Sequence, residues 1–140
     1  NDNRTHAATG KACPQALEFF AGIGLARLGL EESGFQVEWS NDIDSAKCEM
    51  YRNNFTDTPG HTLVEGDMSE LSGDDLPHDA SIALGILSLQ DLSLAGTRTG
   101  LKRQNKSGAF WQIRATARKK LGDSRPPIAI LEKCETDWPL

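Results

Sequence analysis

The sequence predicts an α/β fold: an open, doubly wound sheet of mostly parallel strands with helices on its faces. Three observations lead there. Short apolar runs alternate with amphipathic stretches along the chain. A glycine-bearing turn, Ala21-Gly22-Ile23-Gly24, follows the first apolar run. Ser81 to Leu87 is an almost unbroken apolar run, as a central parallel strand requires.

Taken in order, Ala16 to Phe20 reads as a short buried strand that ends in the glycine turn. Leu25 to Ser33 sets Leu25, Leu28 and Leu30 at near-helical spacing, and Gly34 stops the helix. Phe35 to Ser40 alternates Phe35, Val37 and Trp39 and is the second strand. Asp44 to Asn54 is a helix capped by Asp44 or Ser45, with Ala46, Met50 and Tyr51 facing inward. Thr62 to Glu65 makes a short third strand and Ser81 to Leu87 a fourth. Ser93 to Lys106 is a polar loop with Gly96 and Gly100, too long for a mere connector. Ser107 to Leu121 is a helix with Phe110, Ile113 and Ala117 on one face, and Ile128 to Leu131 is the last strand.

Residues 1–14 read as a polar, flexible tail without the basic-then-apolar order of a signal peptide, and residues 15–140 as one partial domain. The chain opens on Asn1 rather than Met and stops one residue after Pro139, as expected of a fragment. No run of eighteen apolar residues is present, so no membrane partner is expected. Cys13, Cys48 and Cys134 are widely spaced without a CxxC, which argues against a disulfide framework or a metal site and fits a reducing cytoplasm. The net charge of −5 is unevenly spread. Nine of the fifteen basic residues lie between Thr97 and Arg125, opposed there only by Asp123. That segment suits a phosphate backbone, or equally a solvated helix face with a charged loop.

Glycines where a strand feeds a helix let backbone N–H groups approach a ligand, and the helix N-terminus favours an anionic group. The third glycine of a dinucleotide fingerprint is replaced by Arg27, which disfavours NAD. Asp42, eighteen residues after Gly24, ends the second strand, where a carboxylate can accept ribose hydroxyls. Asp67, after Gly66, ends the third and could take an adenine amino group. Each acid alone is more often a helix cap or a solvated carboxylate. Three such features at successive strand ends define a nucleoside site.

Leu17-Glu18-Phe19-Phe20-Ala21-Gly22-Ile23-Gly24 followed by Ser40-Asn41-Asp42-Ile43-Asp44 resembles the first two motifs of DNA cytosine-C5 methyltransferases. The resemblance continues through Gly66-Asp67 and Gln90-Asp91-Leu92-Ser93-Leu94-Ala95-Gly96. It includes Lys106-Ser107-Gly108-Ala109-Phe110-Trp111 and Arg125-Pro126-Pro127-Ile128-Ala129-Ile130-Leu131-Glu132, in family order. It implies a Rossmann-like, S-adenosylmethionine-dependent methyltransferase fold, cut short on its C-terminal side. It also implies S-adenosylmethionine as cofactor, its methionine end against Phe20, Ala21, Gly22 and Gly24. The ribose would bind Asp42, the adenine would pack near Ile43 and its amino group would meet Asp67. In the family the target cytosine is flipped from the duplex, a cysteine attacks C6 and a glutamate, matched here by Glu132, bonds N3. Ser93, Arg98, Lys102, Arg103 and Lys106 match the loop that closes over the base and contacts DNA. The setting implied is a bacterial cytoplasm, with restriction–modification the family's commonest role.

Two positions depart from the family. Its Pro-Cys before Gln90 is Ser88-Leu89 here, and leucine has no lone pair with which to form the adduct. Lys133 stands where the family has asparagine. The expectation is therefore a catalytic lobe without methyl transfer as this chain. The alternatives are a binding pseudoenzyme that holds S-adenosylmethionine or a partner, and an incomplete gene product. The target-recognition region lies beyond the segment matched, and a second chain could supply it, as in split members of the family.

Overall fold

The computed structural model describes residues 13–56, 58–87 and 121–133. Five strands form one sheet: β1 (Gln15–Phe19), β2 (Gln36–Asp42), β3 (Thr62–Glu65), β4 (Ile82–Leu87) and β5 (Ile128–Lys133). Their order is β3-β2-β1-β4-β5 and every neighbouring pair is parallel. The chain winds outward from β1 to β3, then crosses back to start the other half at β4. The winding reverses between β1 and β4, and in open sheets of this kind ligands bind beyond the carboxyl ends of the strands at that switch point.

Alternation along β1 assigns its two faces. Leu17 and Phe19 point to one side, where Trp39, Ala83, Met68, Leu71, Leu76, Ala80 and Leu121 complete a core. Phe19 and Trp39 meet edge to face with centroids 5.2 Å apart. Two single-turn 3₁₀ segments, Met68–Glu70 and Gly73–Asp75, help to cover this face. Burying a side chain such as Leu17 contributes about 1.5–3 kcal/mol. The opposite face begins apolar, with Ala16, Val37 and Ile82 against Leu30 and Phe35. It then turns polar at Glu18 and Ser40, both buried.

Helix α1 (Leu25–Glu32) corrects the sequence reading. Leu25 and Leu28 are exposed, and Arg27 is the helix's buried residue. Buried Glu18 of β1 faces α1, and its Oε1 accepts the backbone N–H of Arg27 at 3.2 Å. The Arg27 guanidinium bonds Glu31 Oε1 at 2.7 Å and lies 4.2 Å from the Phe55 ring centre. Helix α2 (Ser45–Asn54) is capped by Asp44, whose Oδ1 accepts from Ala46 and Lys47 N–H. Ala46 and Met50, expected inside, are exposed, while Cys48 and Tyr51 are buried. The expected inward placement of Tyr51 holds. Burial and nearby carboxylates, Asp42 first among them, push the Cys48 thiol up to about 11.

Strand β2 runs two residues further than expected, so Asn41 and Asp42 belong to the sheet. No described helix is long and apolar enough to cross a membrane. Residues 1–12 of the expected tail over 1–14, the loop from Ser93 to Lys106 and all but the end of the helix from Ser107 to Leu121 lie outside the described residues.

Candidate functional site

The carboxyl ends of β1, β2 and β3 are joined through β2. On the β1 side, Ala21 N–H donates to the Asn41 carbonyl at 3.0 Å. Gly22 N–H donates to Asp42 Oδ2 at 2.8 Å. On the β3 side, Gly66 N–H donates to the Asp42 carbonyl at 2.9 Å. The Asn41 amide donates to the carbonyls of Val64 and Gly66 at 2.8 and 3.0 Å. Asp42 Oδ1 also accepts Asp44 N–H at 2.9 Å, which sets the start of α2. Each carboxylate oxygen keeps a second lone pair for a ligand.

The bend after β1 is tightly wound. Phe20, Gly22 and Gly24 all have positive φ, at 53°, 58° and 94°. For Phe20 this is a sparsely populated conformation held by its surroundings, and its ring packs partly into the Phe19–Trp39 core. Ala21 is buried. The two glycine amides do not stand free for a ligand, as the sequence reading supposed: Gly22 donates to Asp42, and Gly24 to the Ala21 carbonyl at 3.0 Å. Gly22 is suited to its φ of 58°, and it borders open space, since a Cβ built there meets nothing within 4 Å. Ile43 is partly exposed directly after Asp42, and Asp67 is half-buried after Gly66, itself at φ 152°. Phe20, Ala21, Gly22, Gly24, Asp42, Ile43 and Asp67 therefore lie on three adjacent strand exits at one edge of the sheet.

Glu132 is exposed on β5, paired in register with Ile86 of β4. Because Gly85 of β4 pairs with Phe19 of β1, Glu132 lies towards the same carboxyl edge, two strands away. Leu89, Ser93, Arg98, Lys102, Arg103 and Lys106 lie outside the described residues. Among the described residues no group of three or more His, Cys, Asp or Glu is arranged to hold a metal.

Sequence reasoning missed Asn41 as the clamp between β2 and β3. It also missed a buried polar cluster behind the bend. Glu18 Oε2 accepts from Ser40 Oγ at 2.8 Å and from Tyr51 OH at 2.9 Å. His61 Nε2 lies 2.9 Å from Ser40 Oγ, and its ring stacks on Tyr51. Burial raises the Glu18 pKa, opposed by the bonds from Ser40, Tyr51 and the Arg27 N–H. Burial, aided by the Arg27 charge, lowers that of His61 to about 4. A glutamate at the centre of a buried strand is the available signal, since such a group needs partners.

Residues 15–133 match the family described as C-5 cytosine-specific DNA methylase. The type II methyltransferase M.Eco47II of Escherichia coli is 31% identical over 103 residues, covering 74% of this chain and 24% of that protein. The crystal structure of S. pombe Dnmt2 methyltransferase aligns with a TM-score of 0.55 at 20% identity, over 87% of this chain and 35% of that one. The glycopeptide N-methyltransferase MtfA, complexed with (S)-adenosyl-L-methionine, aligns with a TM-score of 0.51 at 20% identity, over 81% of this chain and 45% of that one. The fold is thus the one shared by S-adenosylmethionine-dependent methyltransferases. The chain spans about a quarter to a third of the length of the curated relatives it matches.

Proposed function

This chain belongs to the C-5 cytosine-specific DNA methylase family, and we propose that it is the donor-binding part of the catalytic lobe, holding S-adenosylmethionine without passing its methyl group to cytosine. The observation that carries this reading is the junction at Asp42: one carboxylate ties the β1 bend to the start of α2, and its backbone ties in β3.

The residues present fit the cofactor. Open space over Gly22 admits its methionine end beside Phe20, Ala21 and Gly24. Asp42 has lone pairs for the ribose hydroxyls, Ile43 offers an apolar surface to the adenine, and Asp67 supplies an acceptor for its amino group. When bound, S-adenosylmethionine supplies an electrophilic methyl group. Glu132 has the role of hydrogen-bonding a cytosine drawn out of the duplex towards the same sheet edge. Ser93, Arg98, Lys102, Arg103 and Lys106 contact the DNA backbone. DNA is thus the partner.

Leu89 stops the chemistry. A thiolate at that position attacks C6 and makes C5 nucleophilic, whereas a leucine side chain forms no such bond. Radiolabelled methyl transfer to cytosine-containing DNA tests this, using the unaltered chain and the Ser88→Pro, Leu89→Cys double variant. No label is expected with the unaltered chain at any cofactor concentration. Labelled 5-methylcytosine from it would remove the inactive reading.

A further inference from the structure

The bend from Phe20 to Gly24 carries three positive φ angles in five residues; glycine adopts this region freely at 22 and 24, whereas at Phe20 it persists because neighbouring structure holds it. Asp42 holds its first half. The second half rests on the C-terminal end of α2. A Cβ built on Gly24 would fall 2.1 Å from Phe55 Cε2 and 3.1 Å from Tyr51 Cε2, so the Gly24 backbone lies directly against the Phe55 ring. Beside it, the Asn54 amide donates to the Ile23 carbonyl at 3.3 Å.

The ring is itself held in place. Tyr51 packs on it at 4.8 Å between centroids, and the Arg27 guanidinium covers it at 4.2 Å. Tyr51 is fixed by its bond to Glu18, and Arg27 by Glu31 and by its backbone bond to Glu18. The two glycines thus answer to different demands. Gly22 borders open space, and Gly24 borders Phe55.

We propose that Asn54 and Phe55 are positioning residues for the methyl-donor site, acting through the backbone of Ile23 and Gly24 rather than on the donor. The buried Glu18–Tyr51–Arg27 cluster is the base that keeps Phe55 in place. The proposal rests on the reading of this bend as the S-adenosylmethionine site.

Two variants of the full chain test it. Asn54→Asp keeps the side chain's size at an exposed position but removes the donor to Ile23. Phe55→Leu keeps an apolar side chain but removes the ring. Each is ¹⁵N-labelled and compared without ligand at the Gly22 and Gly24 amides, by resonance position and hydrogen exchange. Each is then titrated calorimetrically with S-adenosylmethionine. Both variants are expected to shift the two glycine resonances, speed exchange at Gly24 and weaken binding roughly five- to tenfold, the scale of one lost hydrogen bond or packing contact. Resonances from β4 are expected to stay in place. Unmoved glycine resonances with unchanged affinity in Asn54→Asp would overturn the proposal, whatever Phe55→Leu does to folding. If the unaltered chain takes up no S-adenosylmethionine, the functional reading fails. The resonance and exchange comparison then still decides whether Asn54 and Phe55 shape the bend.

Discussion

Asp42 is 4% exposed, and each of its carboxylate oxygens already accepts a backbone N–H, from Gly22 and from Asp44. Asp42→Ala therefore has two separable effects. It frees two amides that shape the site, and it removes the acceptor assigned to the ribose. Donor affinity should fall by about 1–3 kcal/mol, read by titration calorimetry, and unchanged affinity would count against the assigned contact. The two glycines of the bend should respond differently to alanine. Gly24→Ala forces a Cβ into Phe55 at φ 94°, whereas Gly22→Ala meets nothing within 4 Å at φ 58°. Gly22→Ala should cost about 1–2 kcal/mol, the left-handed backbone penalty, and Gly24→Ala clearly more, as measured by urea unfolding. Equal losses would contradict the close approach of Phe55. At this scale the sequence was readable where one residue type has few uses: a glycine in a tight bend, an acid at a strand end. Arg27 was not, because Leu25 and Leu28 at helical spacing suggested an apolar inner face. What holds the cation is Glu31 one turn on and the Phe55 ring that it covers, and the ring is seen only when both helices are in place.

Among the elements, β1, β2, α1, α2 and the segment before β3 meet at the Glu18 cluster, and that junction should set how stability depends on pH. His61 sits among Ser40, Tyr51, Glu18 and Arg27, its pKa lowered to about 4 first by burial and then by the Arg27 charge. The folded state thus resists a proton that the unfolded chain accepts. The neutral ring's contribution is complete above about 6.5 and is lost as pH falls through that value towards about 4. Glu18 acts in the opposite sense: burial raises its pKa, so its contribution is present at low pH and lost as pH rises through the raised value. Comparing the chain with His61→Gln isolates the histidine. The difference in urea midpoint between pH 7 and pH 5 should be larger for the unaltered chain, and parallel pH curves would refute the assignment. The strands themselves were legible to within two residues at their ends, because period-two alternation and apolar runs are strong local signals. The inner face of α2 was only partly so. Met50 looks more apolar than Cys48, yet Cys48 is the residue that reaches the sheet, its thiol 3.6 Å from the Asp42 carbonyl.

For the molecule as a whole, the sheet order β3-β2-β1-β4-β5 brings residues 20–24, 42–43, 67 and 132 to one edge from four separate stretches of chain. That convergence explains why the gathering of these residues at one edge could be anticipated from the spacing of motifs while the bonding among them could not. Topology follows from alternating elements, but bonds such as Asn41 to Gly66 depend on register. The central claim is that these strand exits hold an adenosyl methyl donor although no thiol at position 89 can use it. The most direct test is a crystal of the chain grown with S-adenosylmethionine. The account predicts the donor's ribose against Asp42, its adenine beside Ile43 and Asp67, and its methionine end over Gly22. Density for the donor elsewhere, or none at the bend in a crystal whose solvent channels reach it, would contradict it.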